Sequence, residues 1–272
     1  MVDNTKKYKM LVSDFDGTLS ASSDNIISKA NLDAINGFIS RGGIFVVCTG
    51  RCTTSILPEL TKQGYEGYYA SYNGAVVGDT KTGKTLFRKA IPNDVCVRFL
   101  KFCEENNINV HTYPNDVLTI KEHNEFVAWY LIYNKMSYEI IPNLSEYFEK
   151  TGFDSAKFVL SGNKELLAKW LPLATKALPE CNVVQANNRL IEITLKGVSK
   201  GTAIDILSKV CDIPVEETIG IGDAGNDVAM IKSAGLGIAM GNAPDFVKCE
   251  ADFIARDVND DAIKHVIEEF CI

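Results

Sequence analysis

Two acidic clusters carry most of the chemistry available to this chain. Asp14-Phe15-Asp16-Gly17-Thr18 follows the short apolar run Lys9-Met10-Leu11-Val12-Ser13, and far along the chain Ile219-Gly220-Ile221-Gly222 breaks into Asp223-Ala224-Gly225-Asn226-Asp227. An apolar run that stops at a polar turn reads as a buried strand ending in a loop. In open α/β sheets, ligands collect outside the carboxyl ends of such strands. Three or four carboxylates gathered there repel one another unless a cation neutralises them. Hard oxygen ligands favour Mg²⁺, and few protein ligands leave positions for water and a phosphate. A structural use for Asp227, capping the helix that follows, stays open beside this one.

Other chemistries have little to work with. The three histidines, His111, His123 and His265, show no metal-ligand spacing such as His-x-x-x-His. Cys48, Cys52, Cys96, Cys103, Cys181, Cys211, Cys249 and Cys271 are scattered without Cys-x-x-Cys spacing, so they read as buried thiols in a reducing compartment. Lys and Arg number 28 against 35 Asp and Glu, a formal charge of -7, and no basic cluster offers a surface for nucleic acid or anionic membrane. The opening Met1 to Met10 has no apolar leader core, and no later stretch approaches the ~20 apolar residues of a membrane span. The expectation is a cytoplasmic protein with no nucleic-acid or membrane partner, whose catalysis runs on carboxylates.

Strands and helices must position these carboxylates, and the pattern along the chain supplies them. A helix is predicted from about Ser28 to Ser40, with Leu32, Ile35 and Ile39 on one face. Ile44-Phe45-Val46-Val47-Cys48 is a continuous apolar run ending at Thr49-Gly50-Arg51, as a strand buried on both faces requires. The far end repeats the pattern: helix near Gly201 to Val210, strand Thr218 to Ile221, helix from about Asp227 to Ser233, strand Leu236 to Ala239. The alternation predicts a Rossmann-like open parallel sheet. At 272 residues the chain amounts to about 1.8 domains of ~150 residues. Strands interleave less regularly in the middle, which predicts an inserted α+β domain. The division is 1–84 and 195–272 for the core and 85–194 for the insertion. Within the insertion, helices are predicted near Val95 to Glu105 and Leu166 to Ala177, with strands at Asn109 to Tyr113, Tyr138 to Ile141, Ala156 to Leu160 and Leu190 to Leu195.

The order of the motifs resembles the haloacid dehalogenase superfamily of phosphohydrolases. Asp-Phe-Asp-Gly-Thr-Leu spans Asp14 to Leu19 and Cys-Thr-Gly-Arg spans Cys48 to Arg51. Gly-Val-Ser-Lys-Gly spans Gly197 to Gly201, and Gly-Asp-x-x-Asn-Asp spans Gly222 to Asp227. The insertion after the third core strand, Ser71-Tyr72-Asn73-Gly74-Ala75 and Ala239-Met240-Gly241-Asn242-Ala243 look like the Cof-type subgroup with a C2B cap. Asp260-Asp261-Ala262 departs from the Asp-Gly of many relatives, outside the chemical motifs.

The resemblance implies a set of roles. Asp14 is the nucleophile that forms an aspartyl phosphate, and Asp16 is the acid and then the base. Mg²⁺ is held by Asp14, the Asp16 backbone carbonyl and Asp223. Phosphate oxygens meet the Phe15 and Gly50 N–H groups, the Thr49 hydroxyl, Lys200 and Asn226. Asp227 orients Lys200 or metal-bound water; Arg51 either contacts phosphate or pairs with a carboxylate. Candidate cap contacts are His111, Tyr113, Asn115, Asp116, His123 and Trp129. The implied substrate is a small phosphorylated metabolite, with sugar phosphates the leading class. The alternatives are a phosphosugar mutase of the same superfamily and an aspartate phospho-acceptor signalling module.

Overall fold

A computed structural model describes residues 7–21, 25–134 and 136–272. In chain order the strands are β1 (Met10–Ser13), β2 (Ile44–Cys48), β3 (Tyr68–Ser71), β4 (Val76–Asp79), β5 (Thr85–Arg88), β6 (Val110–Thr112) and β7 (Leu118–Ile120). There follow β8 (Tyr138–Ile140), β9 (Phe158–Ser161), β10 (Cys181–Gln185), β11 (Leu190–Leu195), β12 (Thr218–Gly222), β13 (Leu236–Ala239) and β14 (Phe253–Ile254). They form an eight-stranded sheet, order β14-β13-β12-β1-β2-β3-β4-β5, and a six-stranded sheet, order β10-β11-β9-β6-β7-β8. One compact unit takes in the chain up to Arg51, Ile56–Phe87 and Val198–Ile272; the other takes in Cys52–Ser55 and Arg88–Gly197.

The first unit is built around a parallel sheet. From β14 across to β3 every pairing is parallel, and β4 returns antiparallel to β3. Met10 to Ser13, Phe45 to Cys48, Thr218 to Gly222 and Leu236 to Ala239 are buried throughout, as continuous apolar runs must be when helices cover both faces. The register carries the functional consequence. Ser13 lies opposite Ile221 on one side and Val47 on the other. The chain therefore leaves β1, β2 and β12 on the same edge, with Asp14, Thr49 and Asp223 emerging side by side. The strand order reverses at β1, the switch point where open α/β sheets place their sites.

Helix Lys200–Cys211 starts under that edge because Ser199 caps it. The Ser199 hydroxyl accepts the Thr202 N–H at 3.2 Å, and the Thr202 hydroxyl accepts the Ser199 N–H at 3.0 Å, a reciprocal capping box. Ala203, Ile204 and Leu207 then pack with Met10, Val12, Val46 and Met230 in one apolar core. Helix Lys29–Ser40 is likewise capped, by Ser28 accepting the Asn31 N–H. The expected helix from Asp227 is a 3-10 turn, Gly225–Asp227, followed by helix Val228–Ser233.

The second unit is α+β. Its sheet is antiparallel apart from β7 with β8, and helices Asn93–Glu105, Leu144–Thr151 and Lys164–Ala177 contribute to a core with Phe99, Phe148, Phe158, Leu167, Trp170 and Ile193. Strands β7 and β10 and helices Glu125–Asn134 and Leu144–Thr151 add to the elements read from the sequence. Thr85–Arg88, assigned in the sequence division to the insertion, is the last strand of the first sheet. His111 and Tyr113 are fully buried, which removes them as exposed contacts. The His111 ring meets Ser161 Oγ at 2.8 Å and the Tyr130 ring edge-on, and Tyr113 Oη lies 2.6 Å from Tyr130 Oη. Trp129 lies under the Arg189 guanidinium at 4.9 Å. No helix among the described residues is long and apolar enough to cross a membrane.

Candidate active site

At the carboxyl edge of the first sheet, oxygens of Asp14, Asp223 and Asp227 lie within 4.8 Å of one another. The Asp14 N–H still continues the sheet, donating to Ile221 O at 2.9 Å, so its carboxylate is held by a rigid strand end. Gly17 follows with φ +83°, and a Cβ there would come within 2.6 Å of Asp223 Oδ2. Glycine at this position is what lets two acidic turns approach. Thr18 completes the approach by donating its hydroxyl to Asp223 Oδ1 at 3.1 Å.

Lys200 supplies the positive charge. Its buried Nζ donates to Asp14 Oδ1 at 2.5 Å and to Asp227 Oδ1 at 2.6 Å. The other oxygen of Asp227 accepts the N–H groups of Asp223 and Ala224 at 3.1 and 2.9 Å. Asp227 makes no side-chain capping bond to helix Val228–Ser233. Asp227 thus meets Lys200 through one oxygen and, through the other, caps the start of the 3-10 turn Gly225–Asp227 by accepting the Ala224 N–H.

Three carboxylates against one ammonium leave a formal charge of -2 in a largely buried place. Burial pushes Asp14 well above the ordinary carboxylate range, the Asp227 charge adds to the push, and Lys200 draws it back. Burial and Asp227 also raise Asp223, against the Thr18 hydrogen bond and Lys200. Burial opposes the charge on Lys200, yet Asp14 and Asp227 outweigh it and hold its pKa above the ordinary lysine value. The cluster thus lacks positive charge, and hard oxygen donors with a -2 deficit suit a divalent cation such as Mg²⁺. Asp227 uses both oxygens within the protein, so Asp14 and Asp223 are the side chains of the cluster that could hold such an ion. Cys48, beside this cluster, is pushed up to about 12 by burial; it stays a neutral thiol and no nucleophile.

Around the cluster stand the remaining predicted residues. Thr49 is buried and its Oγ1 accepts the Arg51 N–H at 3.1 Å. Phe15 is buried, and its carbonyl accepts the N–H groups of Leu19 and Ser20. Arg51 pairs with a carboxylate: Nε donates to Asp16 Oδ2 at 2.8 Å and Nη2 to Asp16 Oδ1. Asn226 Nδ2 donates to Asn73 Oδ1 at 3.2 Å. The Asn73 N–H is bonded to Thr49 O at 2.9 Å, and its amide lies against Gly50. Asn242 donates to Gly17 O at 2.8 Å and accepts the Val258 N–H. Thr18, Asn73 and Asn242 were given no role by sequence reasoning, although all three lie inside the motif strings noted there.

Residues 11–267 match the haloacid dehalogenase-like hydrolase family. The chain belongs to that family. Among its relatives is the chloroplastic endoribonuclease YBEY of Arabidopsis thaliana, 27% identical over 275 residues. That match covers 97% of this chain and 47% of that protein, so the chain spans about half of its length. The HMP-PP phosphatase of Yersinia pseudotuberculosis is 26% identical over 244 residues, covering 87% of this chain and 85% of that one. The crystal structure of TM0651 from Thermotoga maritima superposes with a TM-score of 0.88 at 28% identity, over 97% of this chain and 98% of that one. The parallel core sheet with a second, inserted sheet is the fold of this hydrolase family.

Proposed function

We propose that the protein is a Mg²⁺-dependent phosphomonoesterase that hydrolyses small phosphorylated metabolites through an aspartyl phosphate. The observation that carries this reading is the Asp14, Asp223 and Asp227 cluster with a single ammonium among it. A bound Mg²⁺ supplies the charge that lets an anionic phosphate approach an anionic nucleophile.

Asp14 attacks phosphorus, forming a phosphorus–oxygen bond to its carboxylate as the bond to the substrate alkoxide breaks. Asp16 gives its proton to the leaving oxygen. In the second step Asp16 takes a proton from water as that water attacks phosphorus, and the bond to Asp14 breaks to release phosphate. The Thr49 hydroxyl, the Phe15 and Gly50 N–H groups, Lys200 and Asn226 serve as donors to the phosphate oxygens, where positioning and charge account for most of catalysis. Asp227 keeps Lys200 on Asp14. Sugar phosphates are placed first among substrates because of the Cof-type resemblance of the motifs. The unpaired state of all eight cysteines supports a cytoplasmic setting.

The test is phosphate release from a panel of sugar, nucleotide and cofactor phosphates. Chelation abolishes turnover and added Mg²⁺ restores it; Ca²⁺ inhibits, because its looser coordination misplaces the nucleophile. Full activity after exhaustive metal removal contradicts the proposal.

A further inference from the structure

Asp16 is held by more than Arg51. The buried guanidinium that grips both Asp16 oxygens also donates from Nη2 to Asn25 Oδ1 at 2.7 Å, and lies over the Phe15 ring at 5.1 Å. Its Nε and Nη2 N–H groups and one face are therefore engaged together, which restricts its orientation. Asn25 adopts the left-handed conformation, φ +60°, one that asparagine tolerates better than most residues. It is buried as well.

What fixes Asn25 is Gln63. Its Nε2 donates to Asn25 O at 2.9 Å, its Oε1 accepts the Ile27 N–H at 2.6 Å, and Nε2 also reaches Glu59 O at 3.0 Å. One side chain thus bonds the backbone on both sides of Ile26. Gln63 directly follows helix Thr53–Lys62, whose start lies just after Arg51. A ring results: Arg51, the helix, Gln63, the 25–27 backbone, the Asn25 amide, and Arg51 again. Rigid spacers joined by hydrogen bonds fix an angle far better than one ion pair does.

We infer that Asn25 and Gln63 are positioning residues that act through Arg51 to aim the Asp16 carboxylate at the leaving oxygen of the substrate. Both lie outside the motifs that carry the family resemblance, and neither is placed to touch the phosphate. The inference rests on the acid and base role proposed for Asp16.

The experiment compares kcat/KM, which reports through the first irreversible step, for two esters. One is the alkyl phosphate that the unmodified enzyme turns over fastest, whose leaving alkoxide needs a proton. The other is p-nitrophenyl phosphate, whose phenolate does not. In Asn25→Ala and Gln63→Ala, kcat/KM for the alkyl ester falls about 10-fold, short of the 10²-fold that a 1 Å misplacement brings. For the aryl ester it stays within about twofold. Asn25→Asp keeps the acceptor and tolerates the left-handed backbone, so it restores most of the alkyl rate. Thermal melts of each variant confirm the fold, and Gln63→Ala serves if Asn25→Ala does not fold. Equal losses on both esters, or no loss on either, overturn the inference. Absence of ester hydrolysis in the unmodified enzyme instead defeats the phosphatase proposal, so the two failures are told apart.

Discussion

Lys200 Nζ lies 2.5 Å from Asp14 Oδ1, so the cation that would meet a phosphate already rests on the carboxylate that would attack it. Asp227 holds it there from the other side at 2.6 Å. The proposed nucleophile and its neighbouring charge are already held together as one unit.

Lys200→Ala therefore removes charge from phosphate and nucleophile together. The expected loss in kcat is on the order of 10² to 10³, the effect of deleting one key electrostatic donor. Stability should fall too, on the order of 3 kcal/mol, because Asp14 and Asp227 stay buried without their partner. Steady-state kinetics and urea unfolding of the same variant measure the two effects. Near-normal kcat in folded protein would move the phosphate site elsewhere.

Asp14 and Asp16 separate by leaving group. Asp14→Asn abolishes phosphoenzyme formation with every ester. Asp16→Ala retains the backbone carbonyl but loses the acid and base, so alkyl ester cleavage falls by about 10² to 10⁴. With p-nitrophenyl phosphate the first step is partly spared while hydrolysis of the intermediate slows. Rapid mixing then shows a burst of phenolate and a hydroxylamine-sensitive phosphoenzyme. Equal losses for both esters without a burst would leave Asp16 an organising role only.

The second unit carries its own pH dependence. Burial, reinforced by the nearby Lys157 charge, lowers His111 to about 3, whereas an unfolded histidine titrates near 6.5. Between those values the unfolded chain binds a proton that the folded unit refuses, so stability decreases as pH falls from about 6.5 towards 3, by about 1.4 kcal/mol per pH unit from this group. His111→Phe keeps a ring against Tyr130 and removes the titration. Urea unfolding across that window should give a shallower slope for the variant; an unchanged slope would assign the effect to other groups.

Much of the core was legible because its signals are local. Ile44 to Cys48 is apolar without a break, and only a strand covered on both faces uses such a run; the structure has β2 at those residues. The helix read near Gly201 to Val210 is Lys200–Cys211 in the structure. The insertion was less legible. Helix Glu125–Asn134, EFVAWYLIYN, is apolar on nearly every side, so it lacks the polar stripe that marks a helix in sequence. Strand β7, Leu118–Ile120, is too short for alternation to show.

The sequence by itself marked the two acidic turns as candidate chemistry by residue type at strand ends, while Thr49, Gly50 and Lys200 became candidates through the order of motifs that carries the family resemblance. Tertiary structure decided what each one touches. Arg51 could face a phosphate or a carboxylate as far as the sequence was concerned, and in the structure it pairs with Asp16 while also donating to Asn25 Oδ1. His111 and Tyr113 were candidate cap contacts by residue type, and the structure buries both. Asp227 was open to capping or to orienting Lys200, and its two oxygens meet Lys200 and the Asp223–Ala224 backbone. Apart from the local Asp223–Ala224 contacts, the partners lie far along the chain. Burial and hydrogen-bond geometry between distant segments leave no periodicity behind, so they become visible only when the chain has closed on itself.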